Sequence, residues 1–258
     1  MGSQSLPDHV IIEQSEFFNL RSQHVNDEFL IKIWLPESYS TSEKTYPVLY
    51  LLDGDFAFGM ATDIVQYMIW GKHIPELIIV SPAYGTKGDG NQRGRDFLYT
   101  PADFLPNTTP GGDKFLRFLV DELVPEIDAR YRTIPGDRTL EGYSGGCWFL
   151  MHAIFEAHNI FQRMIGVDGC RPEEVFDLEQ KYAETHSDLP LRLFISAREA
   201  EGCECQFIKA LNSRNYPNLV AGFHYQDAAG HFTAPADGLV RGLVAVYEGW
   251  QERESHSA

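Results

Sequence analysis

The spacing of hydrophobic positions changes several times along the chain, and each change marks an element. Phe29, Ile31, Ile33 and Leu35 alternate with other residues and stop at Pro36, which predicts a half-buried strand. An extended stretch over residues 10–18 precedes it, so an antiparallel pair at a sheet edge is expected. Residues 47–52 and 77–80 are instead unbroken apolar runs, as in parallel strands covered on both faces. Phe115, Phe118, Leu119, Leu123 and Ile127 fall at three- and four-residue spacing and predict an amphipathic helix over 113–131. Residues 138–141 lead as a short strand into Gly142. Residues 147–155 are apolar on nearly every side, which predicts a helix buried behind a central strand. Three further strands are predicted over 164–167, 191–196 and 220–225, and a closing helix over 240–250.

No repeat, low-complexity tract or linker interrupts this series. The expected fold class is α/β, a single domain over 1–258 with its core at about 10–250. Its centre is a mostly parallel sheet of about eight strands flanked by helices. Gly88, Gly90 and Gly94 lack the spacing of a dinucleotide loop and are read as a flexible surface loop.

Charge narrows the partners. The chain carries 37 acidic against 21 basic side chains, a formal net charge of −16, which repels nucleic-acid backbones and anionic membrane surfaces. No nucleic-acid or membrane partner is expected. Residues 1–9 lack a basic and an apolar signal region, and no apolar run reaches a membrane span, so a cytoplasmic location is expected. Cys147, Cys170, Cys203 and Cys205 are too few and too uneven for a disulfide framework. Free thiols are expected, with no metal site and no cofactor.

The candidate chemistry centres on Gly142-Tyr143-Ser144-Gly145-Gly146. A Gly-x-Ser-x-Gly sequence is weak alone, but here it lies between a strand and a buried helix, the setting of a nucleophile elbow. Ser144 is expected in a strained conformation, with Cβ atoms at Gly142 or Gly146 colliding with the neighbouring strand and helix. A serine hydroxyl needs an imidazole to take its proton and a carboxylate to hold that imidazole. In chain order the base follows last, so His231, in a loop just past the final strand, is chosen over His224 inside it. The segment after strand 191–196 offers Glu199, Glu201 and Glu204 as the acid, and Glu201 is preferred over Glu199. Backbone N–H donors for the developing oxyanion are expected at Gly145 and Asp55, each worth roughly 3 kcal/mol of barrier. The Asp55 carboxylate must then point away.

These residues resemble the esterase D group of α/β-hydrolases, which includes siderophore esterases, feruloyl esterases, S-formylglutathione hydrolases and mycolyltransferases. The likeness covers about 17–250. Residues 46–54 look like that family's oxyanion strand and loop, 115–132 like the helix before the elbow, and His231 with Gly242-Leu243 like the histidine segment. The resemblance implies an α/β-hydrolase fold and a serine esterase acting through a Ser144 acyl-enzyme. It also projects the acid onto Glu201, at the end of Arg198-Glu199-Ala200-Glu201, although Arg198 stands where the family has glycine and some members use serine and histidine alone. Acyl transfer by the same machinery and a non-catalytic binding protein are the alternatives.

Residues 170–190 leave no room for a large cap. The expected partner is therefore a small-molecule ester in an open cleft lined by Phe56, Phe58 and Trp148, with Arg93 or Arg95 holding a polar or anionic part of it.

Overall fold

The computed structural model describes residues 11–251. The first strand, β1 (Ser15–Arg21), pairs antiparallel with β2 (Glu28–Trp34). It begins later than the expected stretch, and Val10, like residues 1–9 and the tail histidine His256, lies outside the described residues. The strands β3 (Tyr46–Leu51), β4 (Ile78–Ala83), β5 (Thr133–Tyr143), β6 (Arg163–Val167), β7 (Leu191–Ala197) and β8 (Leu219–Tyr225) complete an eight-stranded sheet. Its order is β1-β2-β4-β3-β5-β6-β7-β8. β2 pairs antiparallel with β4, and every later pairing is parallel. The alternation at 29–35 and the apolar runs at 47–52 and 77–80 thus separate the antiparallel edge from the parallel centre, as each pattern requires.

Helices cover both faces. After β3 comes α1 (Gly54–Trp70), followed by the short α2 (Arg93–Asp96). The amphipathic stretch 113–131 is helical but not uniform: α3 (Gly112–Arg117) passes through a π-helical turn, Phe118–Leu123, into α4 (Val124–Arg130). α5 (Gly145–Ala157) follows β5, α6 (Pro172–Thr185) follows β6, α7 (Cys203–Ser213) follows β7, and α8 (Ala234–Val246) closes the series. The closing helix starts earlier than its apolar residues suggest, because Pro235 in its first turn fixes a helical φ without costing a hydrogen bond.

Alternate residues of each central strand feed two cores. Val48 and Tyr50 pack with Phe115, Phe118, Phe149 and Phe207 on one face. Leu49 and Leu51 pack with Phe58, Val65, Leu239 and Leu243 on the other. Burying a side chain of this kind contributes about 1.5–3 kcal/mol, so these paired layers fix strand register and helix docking together.

Two expectations are corrected. Cys170 and Cys203 form a disulfide, with Cα atoms 5.9 Å apart, while Cys147 and Cys205 are free and buried. Spacing along the chain hid this pair, since the topology brings the β6 and β7 loops together across 33 residues. The cysteine pattern therefore no longer argues for a reducing compartment. The glycine loop is also tied down. The Asn91 side-chain amide donates to Thr86 O at 2.9 Å and to the Asp55 carboxylate at 3.2 Å.

Candidate active site

The carboxyl ends of β5, β6 and β7 and the loop after β8 are stitched together by backbone hydrogen bonds. Ser144 N donates to Val167 O at 2.8 Å, Asp168 N to Ser196 O at 2.8 Å, and Gln226 N to Ala197 O at 2.9 Å. Continuing the ladder beyond the strands puts Ser144, Asp168, Arg198 and the histidine loop on one edge of the sheet, the crevice where open α/β sheets carry their sites.

Ser144 has φ 54° and ψ −115°, a backbone conformation that an L-residue adopts only under constraint. The sharp turn is sterically enforced. A Cβ on Gly142 would lie 2.3 Å from Gly146 O, and one on Gly169 would lie 2.2 Å from Ser144 O. The expected collision at Gly146 does not occur: its Cβ would meet Leu52 at 3.5 Å, an ordinary contact. Gly146 is instead the close neighbour that makes Gly142 obligatory. Gly145 opens α5, so its N–H precedes the first intrahelical bonds and has no partner within the helix.

His231 lies in the loop past β8, as expected, and its Nδ1 is 2.6 Å from Asp168 Oδ2. His224 stays in β8, 3.7 Å from Asp237. The Tyr143 hydroxyl, next to the serine, donates to His231 O at 2.6 Å and fixes the histidine loop against the elbow. With a carboxylate on Nδ1, the imidazole is held in the tautomer that leaves Nε2 to accept a proton.

Glu201 is not brought to the histidine. Its side chain is 78% exposed and pairs with Lys209 at 2.6 Å, while Glu199 is also exposed. The carboxylate at His231 belongs to Asp168, one strand earlier. Asp168 takes a positive φ of 51° directly after β6, and its side chain is only 7% exposed. Arg198 Nε donates to the same oxygen at 2.7 Å and Arg198 N to the other at 3.4 Å. Burial works to raise the Asp168 carboxyl, but the hydrogen bonds from Arg198 and His231 and the Arg198 charge outweigh it and hold the group below its usual value. The arginine standing where the resemblance expects glycine is thus the ion-pair partner of the Asp168 carboxylate at the end of β6. Asp168, immediately after the predicted strand 164–167 and between serine and histidine in order, was the signal in the sequence.

The loop after β3 begins with Asp53 at φ 59°, which turns the chain into α1. The Asp55 carboxylate accepts from Tyr84 N at 2.7 Å and from Asn91, and lies 3.6 Å from Lys32 Nζ. Lys32 Nζ also donates to Gly54 O at 2.9 Å. Asp55 is therefore engaged through its side chain by β2 and by the loop after β4. Arg93 makes a two-pronged pair with Asp53, at 2.6 and 2.9 Å, and its guanidinium lies 3.4 Å from where a Gly145 Cβ would be. Arg95 is held by Asp96 and Asp27. Beneath the turn, burial and the Asp53 charge push the Glu141 carboxyl up to about 8.

Of the expected cleft aromatics, Phe56 is half exposed in the first turn of α1, and Trp148, in the first turn of α5, meets Phe104 edge-on at 5.5 Å. Phe58 is core, packed under α1 and 6% exposed, because it points to the sheet while Phe56, two residues earlier, faces outward. Phe104 and Phe232 were not foreseen. A hollow of about 1030 Å³ lined by Tyr46, Trp70, Tyr247 and Trp250 lies at the other end of the sheet, away from Ser144. Among the described residues no cluster of three or more His, Cys, Asp or Glu is placed to hold a metal ion, and no helix is long and apolar enough to cross a membrane.

An eight-stranded α/β sheet with a serine elbow and a histidine–aspartate pair at its carboxyl edge is the layout of the α/β-hydrolase class. A family model described as Putative esterase matches residues 22–170, and the protein belongs to that family. The siderophore triacetylfusarinine C esterase of Aspergillus fumigatus is 30% identical over 163 residues, 60% of this chain and 54% of that protein. The ferri-bacillibactin esterase BesA of Bacillus subtilis is 32% identical over 136 residues, 46% of each chain. The matched region thus spans about half the length of these curated relatives. The crystal structure of the BES protein from Bacillus cereus superposes with a TM-score of 0.81 over 95% of this chain and 99% of that one, at 22% identity, a likeness of fold.

Proposed function

We propose that the protein is a serine esterase that hydrolyses a carboxylic ester through a Ser144 acyl-enzyme, with His231 as general base and acid and Asp168 as the orienting carboxylate. The observation that carries this reading is the 2.6 Å contact between His231 Nδ1 and Asp168, next to a serine held at positive φ. His231 Nε2 takes the Ser144 proton as the oxygen attacks the ester carbonyl. The tetrahedral oxyanion is received by the Gly145 and Asp55 backbone N–H groups, and its collapse expels the alcohol, which takes the proton from His231. Water, activated by the same imidazole, then releases the acid and regenerates Ser144. Asp168 stays ionised throughout, because Arg198 and His231 favour its charged form.

The substrate class that best fits is a siderophore-type ester. Two curated relatives are named as esterases of triacetylfusarinine C and of ferri-bacillibactin.

A fluorophosphonate probe tests the nucleophile: it is expected to label Ser144, and Ser144→Ala should lose both labelling and ester hydrolysis, with kcat down by about 10⁴-fold or more. A Ser144→Ala protein that cleaves 4-nitrophenyl acetate at the parental rate would sink the reading. An acyl acceptor outcompeting water in product analysis would point to the transferase alternative, and an unlabelled Ser144 to the binding-protein one.

A further inference from the structure

Resting on the esterase reading, we infer that Lys32 is a positioning residue for the oxyanion: its ammonium holds and polarises, from behind, the Gly54–Asp55 peptide whose N–H receives the developing charge. Lys32 Nζ donates to Gly54 O at 2.9 Å. That carbonyl and the Asp55 N–H are the two ends of one planar peptide unit, so a bond at the oxygen fixes the direction of the N–H. The same bond draws electron density toward the oxygen and makes the N–H a stronger donor, most of all when the bonding group is charged.

Asp55 is the second residue of α1, and its N–H is one of those that a helix start leaves without an acceptor inside the helix. Four residues earlier, Leu51 O accepts from the Ser81 hydroxyl at 2.6 Å.

The sheet places Lys32 for this task. On β2, Ile31 and Ile33 join the core of Phe115 and Phe118, whereas Lys32 and Trp34 lie on the opposite face, where Trp34 packs with Phe58 and Val65 of α1. Lys32 stands opposite Ser81 in the pairing of β2 with β4. Two neighbouring strands thus each send one side chain to the connection between β3 and α1, Ser81 to Leu51 O and Lys32 to Gly54 O. Gly54 lets the connection sit close: a Cβ there would lie 2.7 Å from Ser81 Oγ and 2.8 Å from Pro82 O. Only a quarter of the Lys32 side chain is exposed, so its field at the peptide is partly shielded from water. Lys32 Nζ also lies 3.6 Å from the Asp55 carboxylate, which is 5% exposed, and offsets a charge of the same sign as the oxyanion. The two effects are separable, because Asp55→Asn removes the carboxylate and keeps the backbone N–H.

The test is steady-state kinetics of Lys32→Met on 4-nitrophenyl acetate and on O-4-nitrophenyl thionoacetate, whose sulfur accepts hydrogen bonds weakly. Losing a whole oxyanion donor costs about 10²–10³ in kcat, so weakening one should cost about tenfold. For the acetate, kcat and kcat/KM should fall together by that factor, the pattern of an interaction made in the transition state. The thionoester should be slowed little, so the acetate-to-thionoester ratio of kcat/KM drops several-fold, whereas a general loosening of the site would slow both alike. Lys32→Arg should restore most of the acetate rate, and Lys209→Met, at an exposed lysine of α7, should match the parent. Lys32→Met leaves the Asp55 carboxylate without its cation, so the substitution is repeated in Asp55→Asn, where it should still cost about tenfold in kcat. Parental kcat in Lys32→Met, equal slowing of the two esters, or no further loss in the Asp55→Asn background overturns the inference while the esterase reading stands. A parent that cleaves neither ester and takes no fluorophosphonate at Ser144 overturns the esterase reading itself.

Discussion

The nucleophile turn and the acid loop stand side by side on one sheet edge, yet they are specified in opposite ways. The turn is local: five consecutive residues, a strained serine and a glycine whose Cβ would strike backbone four residues further along. The acid loop is assembled from distant parts. Asp168 comes from the end of β6, Arg198 from the end of β7, His231 from beyond β8, and a disulfide from Cys170 to Cys203 ties the first two loops together. Backbone sterics leave a mark that can be read from a short motif, whereas a carboxylate's role depends on which loop the topology sets beside it.

The two regions should therefore fail differently. The largest effect is expected at Gly142→Ala, where the added methyl meets a carbonyl oxygen at 2.3 Å with no flexible side chain to yield. Thermal or urea unfolding should show a loss of more than about 4 kcal/mol, or no folded protein. Gly146→Ala, with 3.5 Å of room, should cost under about 1 kcal/mol, and equal losses at the two positions would contradict the steric account of the turn.

Cutting the staple is next in size. Cys203→Ser opens a loop closed over a separation of 33 residues, which chain entropy values at about 3–4 kcal/mol. A melting temperature that falls in Cys203→Ser, and falls equally in the parent on adding a reductant, is the expected result. No change on reduction would remove the disulfide from the account.

The same contrast explains what the sequence disclosed. Strand periodicities at 29–35, 47–52 and 77–80 named the edge and centre of the sheet because burial on one face or two writes different patterns. The sharp turn at Ser144 and the place of His231 in the loop past β8 were legible from motif and chain order. The Asp168 carboxylate beside His231 was not foreseen because both the segment after strand 191–196 and the resemblance directed attention one strand too far, to Glu199 and Glu201, which face solvent, and Glu204, which is buried in α7. The departure at Arg198 already marked that loop as different, and its meaning appeared only once the guanidinium was seen on Asp168. Phe58 and Phe56 could not be told apart as core and surface until the orientation of α1 was known. Phe104 and Phe232 lie in loops, where no hydrophobic period marks an exposed ring in advance.

The central claim is that Asp168, rather than Glu201, orients His231. Steady-state kinetics of Asp168→Asn and Glu201→Gln on one activated ester tests it most directly. The asparagine favours the wrong imidazole tautomer, so kcat should fall by about 10³–10⁴-fold at neutral pH with KM little changed, while Glu201→Gln stays within about twofold of the parent. A small effect at Asp168 together with a large one at Glu201 would contradict the account.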